Sequence, residues 1–284
     1  MGFATTYDVW VMPLVRDWQV FFSALAFYFV CQYMLVKYLP RWMGRHWEKL
    51  STLQREDMVV RGCSIINGLV MSGSAVLFLS NFVHNGFGLP DDKYKPLKHY
   101  SFYRTTITAY FAWDVVTCFR YKWSVAWKVH GVFSFLGTYT LMFPFSDDYG
   151  GYYTGCFELS NAFLHVSIIL RTLAGEEKNA ATKAVLENRA TLCEYTFGVL
   201  FFIIRVIGGT YVTGTWMYTT LSDVLSDFVH RGDAGYKQKL HNEAAVALAI
   251  LAVSTIQILQ YIWFVAIIQK ATGSGAEAKR EKKE

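Results

Sequence analysis

Three stretches of this chain are each as long as a bilayer is thick and carry no charged side chain. Trp18–Val36 is free of charge over 19 residues, Gly62–Val83 over 22 and Ala244–Gln269 over 26. A hydrocarbon core needs about 20 apolar residues as helix, so all three have the length of membrane spans. Four further runs are nearly clean. Thr105–Phe119 is broken only by Asp114, and Val129–Phe145 holds only His130 as a titratable group. Tyr149–Leu170 contains Glu158 and His165, and Tyr195–Leu221 contains only Arg205. The expected fold is all-α: a polytopic membrane helical bundle with about seven transmembrane helices. Composition agrees. Only 17% of the 284 residues are charged, against about 25% in soluble domains. The 53% hydrophobic content excludes disorder over most of the chain.

Seven spans put the two termini on opposite sides. The side of the C-terminus carries 18 Lys and Arg and the other side 8, with Arg205 inside a span. Positive charge prefers the cytoplasmic or equivalent insertion side, which places the C-terminus there. The net charge of +5 therefore reflects orientation and anionic headgroups rather than nucleic acid. Trp42, Trp47, Trp123 and Trp127 lie near span ends on the basic side and read as an interfacial belt. Residues 1–46 read as an N-terminal segment with a retained first helix, 47–270 as a six-helix membrane domain, and 271–284 as a charged flexible tail. The tail's closing residues Arg280 and Lys282 resemble a dibasic endoplasmic-reticulum retrieval signal, although a plain charged tail reads as well. The five cysteines have no metal-ligand spacing and read as reduced packing residues. No metal site and no cofactor motif is expected.

The informative residues are the polar ones at membrane depth, because insertion of a charge costs about 2.5–3.5 kcal/mol and such groups usually face a bundle interior. Helical spacing sorts them into stripes. Glu158, Asn161 and His165 share one face, as do Ser64, Asn67, Met71 and Ser74. His130, Ser134 and Thr138 form a third stripe, and Tyr110, Asp114 and Cys118 a fourth. Arg205 is expected to pair with Glu158 or Asp114, since a lone buried charge is far costlier than a paired one. Asp223, Asp227 and His230 read as a solvated helix face.

Four segments, in order, resemble the TLC-domain membrane proteins, the superfamily that includes the ceramide synthases. Arg61-Gly-Cys-Ser64-Ile-Ile-Asn67 resembles the family's Arg…Ser…His opening, with Asn67 at the histidine position. Ala109-Tyr-Phe-Ala-Trp-Asp114 resembles its aromatic helix ending in Asp, and Glu158-Leu-Ser160-Asn-Ala-Phe-Leu-His165 its Glu-x-Ser-x-x-Phe-Leu-Asn signature. Phe201-Phe-Ile-Ile-Arg205-Val-Ile-Gly-Gly resembles its Phe-Phe-x-x-Arg…Gly stretch. Synthases carry adjacent histidines, whereas Lys128-Val129-His130-Gly131 holds one. The resemblance therefore points to the non-synthase members, which are implicated in membrane lipid composition, trafficking and sensing.

Three functions remain open at this stage. The first is a lipid-binding membrane protein, with Asn67, Asp114, His130, Glu158, Asn161, His165 and Arg205 around a headgroup. The second is an accessory or scaffold subunit of a large membrane complex, packed through Gly68, Ser72, Gly73 and Ser74. The third is an N-acyltransferase of ceramide-synthase type, using acyl-CoA and a long-chain base. There His130 would be the catalytic base, and Asp114 or Glu158 would orient it. The expected partners are membrane lipids and other membrane proteins. The expected location is the endoplasmic reticulum, with the mitochondrial inner membrane as alternative.

Overall fold

The computed structural model describes residues 4–272. Every regular element among them is helical. Two short turns, α1 (Thr6–Trp10) and α2 (Met12–Arg16), lead into α3 (Trp18–Met43). A five-residue helix α4 (Arg45–Lys49) precedes α5 (Thr52–His84), α6 (Tyr100–Arg120) and α7 (Val125–Thr140). The short α8 (Asp147–Gly151) passes through a π-helical turn, Tyr152–Cys156, into α9 (Phe157–Glu176). Then α10 (Ala180–Leu200) runs through a second π-helical stretch, Phe201–Gly208, into α11 (Gly209–Val229), and α12 (Glu243–Thr272) closes the chain. The charged tail lies outside the described residues.

Local sequence sets these boundaries. Ser51 and Gln54 form a capping box at the start of α5, satisfying donors that a helix N-terminus leaves open. Asn179 caps α10. Helix α3 stops just after Pro40, at Gly44, whose φ of +51° suits a residue without a Cβ. Four helices are long and apolar enough to cross a bilayer: Trp18–Met43, Thr52–His84, Ala180–Val229 and Glu243–Thr272. The other three expected spans are helices too. However, α7 has only 16 residues, and α6 and α9 carry the polar stripes. Length and apolarity alone therefore support four spans.

The packing is a ring. Helix α5 packs on α6, α6 on α7, α7 on α12, α12 on the Phe201–Gly208 stretch, α10 on α9, and α9 back on α5. Helix α3 lies outside, against α5 and α6. At one end, Glu194 binds both Arg171 and Lys270, and Lys49 donates to the Glu176 carbonyl. At the other end, the Ser146 amide donates to the Lys93 carbonyl, Lys93 pairs with Asp223, and the Ala4 amide donates to the His241 carbonyl.

Candidate functional site

The ring's interior holds a hydrogen-bonded relay at mid-helix depth. Glu158, buried on the first turn of α9, accepts from Asn67 on α5 at 3.1 Å and from Asn161 at 3.1 Å. Asn67 in turn accepts from the Tyr28 hydroxyl on α3 at 2.8 Å. Arg205 enters from the π-helical stretch, with its guanidinium over the rings of Phe157 and Phe201. It donates to Asn161 Oδ1 at 2.7 Å, Ser160 Oγ at 3.1 Å, Gln260 Oε1 at 2.9 Å and the Phe157 carbonyl at 2.5 Å. Five helical elements thus meet through one set of side chains.

A second polar group lies in the seam between α6 and α7. Asp114 is 8% exposed, and among the described residues its carboxylate accepts only from the Cys118 thiol, at 3.9 Å. A Cβ on Gly131 would stand 3.0 Å from Asp114 Oδ2, so the glycine lets α7 approach the carboxylate. The neighbouring His130 ring is boxed by Phe111, Trp127 and Trp263, with centroids 6.1, 6.0 and 5.3 Å away. Its Nδ1 is buried and has no hydrogen-bond partner among the described residues. Leaving such an atom unpaired costs about 1–3 kcal/mol.

His165 belongs to neither group. Its Nδ1 accepts from Arg61 at 3.3 Å, and Arg61 is held by Asp57 at 2.6 Å. The site at membrane depth therefore has three parts: the relay, the Asp114–His130 seam, and this triad nearer the start of α5.

A family model for the TLC domain matches residues 57–269, which is most of the chain. The chain belongs to the TLC-domain family. No curated protein and no solved structure matches it. The match takes in the site residues from Asn67 to Gln260, while Tyr28, which closes the relay, lies before it.

Within the TLC domain three expectations are corrected. Arg205 forms no ion pair with Glu158 or Asp114 among the described residues; Asn161 stands between Arg205 and Glu158 and bonds to both. The reason is geometric: four neutral acceptors already surround the guanidinium, and two amides already fill the Glu158 oxygens. Asp114 does not orient His130, since its bond goes to Cys118. Nor is Asp227 on a solvated face: it is 3% exposed and accepts from the Tyr236 hydroxyl and the amides of Lys239 and Leu240. It thereby ties down the loop before α12.

Several participants escaped the reading of stripes. Gln257 and Gln260 sit in the cleanest apolar run, and only a search for neutral amides at i, i+3 would have marked them. Arg104 pairs with Asp147 at 2.6 Å, with both side chains 5% exposed. These two flank predicted spans, and no sequence spacing links them. A cleft of about 110 Å³ opens at the loop end between segments 89–95, 146–149 and 215–219, away from the expected site residues. Among the described residues, no group of three or more His, Cys, Asp or Glu could hold a metal ion.

Proposed function

We propose that this TLC-domain protein is a lipid-binding protein of the non-synthase kind, in which the relay fixes the ring and the α6–α7 seam receives a lipid headgroup. One observation carries the reading. The charged groups of the relay are engaged by protein partners, whereas among the described residues His130 Nδ1 has none and the Asp114 carboxylate has only a thiol. A headgroup hydroxyl or amide can donate to Asp114 and pair with His130, removing both deficits. The aromatic wall of Phe111, Trp127 and Trp263 suits the apolar part of such a molecule. An acyltransferase base needs a group to orient its imidazole, and among the described residues none bonds His130 Nδ1. This reading keeps seven spans, with α6, α7 and α9 shielded in the ring, and the C-terminus on the more basic side.

The test is lipid extraction from protein purified in mild detergent, followed by mass spectrometry. The wild type is expected to retain a lipid class in near-stoichiometric amount, and Asp114→Leu and His130→Leu are expected to lose it while still folding. No retained lipid in the wild type, or equal retention in both variants, would refute the proposal.

A further inference from the structure

The end of α3 and the start of α4 expose a set of cations without an ion-pair partner among the described residues, of which Arg45 acts on Glu177 at longer range. Lys37, Arg41 and Arg45 are exposed, and none of the three has an ion-pair partner among the described residues. Segment 37–49 holds four Lys or Arg and a single acid, Glu48. Other basic residues nearby are occupied. Arg55 donates to the carbonyls of Trp47 and Glu48, and Lys49 to that of Glu176.

Two of the three cations are also held by an aromatic ring. Lys37 lies 5.5 Å from the Tyr38 ring centroid and Arg41 5.6 Å from it. Trp42 stacks against Tyr38 and is itself 75% exposed. Beyond the bend at Gly44, α4 is pinned to the turn after α9 by His46 on Glu177 at 3.4 Å and by Lys49. Glu177 is therefore already engaged. The result is a fixed cationic surface with an exposed indole, at the height where α3 leaves the apolar zone. Indoles favour the headgroup layer, and cations there attract anionic lipids.

We propose that Lys37, Arg41 and Arg45, with Trp42 as anchor, form a docking surface for anionic phospholipid headgroups of the adjoining leaflet. This surface is separate from the interior seam and does not depend on it.

Native mass spectrometry of the full chain, titrated with an equal mixture of phosphatidylglycerol and phosphatidylcholine, tests the proposal. Wild-type protein is expected to retain phosphatidylglycerol in preference. Each neutralised cation is expected to lower that preference about fivefold, so K37Q/R41Q/R45Q abolishes it. K178Q/K183Q, on the neighbouring α9–α10 turn and the first turn of α10, is expected to leave it intact. Should the triple variant fail to fold, R41Q alone carries the test with its fivefold loss. A wild type without preference, a folded triple variant that keeps it, an unchanged R41Q, or an equal loss in K178Q/K183Q would each overturn the proposal.

Discussion

Asn161→Ala is the most incisive perturbation of the relay. The side chain donates to Glu158 at 3.1 Å and accepts from Arg205 at 2.7 Å. Both bonds involve a buried charged residue, and hydrogen bonds to charged groups contribute about 1.5–3 kcal/mol each. Losing both should cost about 3–6 kcal/mol. Neutral interhelical bonds in membranes average only about 0.6 kcal/mol. For a chain of this size, 1 kcal/mol moves a melting temperature by about 2–4 °C. The relay therefore predicts a fall of roughly 6–24 °C, and two bonds of ordinary polar glue about 2–5 °C. The assay is a thermal melt in detergent read by a thiol-reactive dye, because Cys63, Cys118 and Cys156 are free and buried. A double-mutant cycle with Arg205→Met separates coupling from local damage, and the two changes are expected to be non-additive by more than about 1 kcal/mol. A melting shift of about 5 °C or less (from two neutral bonds of about 0.6 kcal/mol each), or strict additivity, would refute the relay.

Two further predictions concern other parts of the fold. His241, on the loop before α12, is stacked on Phe143 with Nδ1 against the Tyr94 hydroxyl, and burial pushes its pKa down to about 4. The unfolded chain, with an ordinary value near 6.5, takes up that proton first, so stability is full above about pH 6.5 and falls by up to about 3 kcal/mol as the pH drops toward 4. Burial raises Asp147 and Asp148, which pull the other way, so melts of wild type and His241→Gln from pH 7 to 4.5 are compared. A variant whose pH slope matches the wild type's sinks the assignment. At Gly155 an added Cβ would stand 2.2 Å from the Ala75 amide nitrogen and 2.7 Å from its Cα, both rigid backbone. Gly155→Ala should cost at least the about 1–3 kcal/mol of ordinary overpacking, whereas Gly68→Ala meets only the Glu158 carbonyl at 3.4 Å. Equal melting temperatures for the two alanine variants would show that α5 and the Tyr152–Cys156 turn are not in backbone contact.

The helical class and the interior polar residues were readable from the sequence because charge is penalised in lipid. Glu158, Asn161 and Asn67 share stripes, and the structure bonds them together. The partners were less legible. A stripe fixes which face of a helix is polar, but not which helix faces it or at what height. His165 illustrates the limit: it lies one turn from Asn161 on the same face, yet it bonds to Arg61 rather than to the relay. The neighbour is decided by the antiparallel packing of α5 on α9, a long-range property. The span count was weakened for a related reason. Helices such as α6, with Arg104, Asp114 and four threonines, are tolerated at the bundle's centre because other helices shield them.

The position of Arg205 depends on a feature that no charge census detects. The wider winding of the Phe201–Gly208 stretch leaves carbonyls without their regular i+4 donors, and lipid supplies none. The Tyr152 hydroxyl donates to the Ile204 carbonyl, and Gln257 Nε2 to that of Arg205 at 3.2 Å. Gly208 is required beside this contact, since a Cβ there would meet the Tyr152 oxygen at 2.2 Å. Tyr152 itself belongs to the other π-helical turn, so the two irregular segments support one another. A neutral tyrosine and a neutral glutamine thereby hold the backbone that aims a cation into the ring. The same logic explains Asn161. An amide can accept from the arginine and donate to the glutamate at once, joining two opposite charges without direct contact. In a bundle of this kind, charged residues mark where the interior lies, and the neutral amides and hydroxyls opposite them determine how it is assembled.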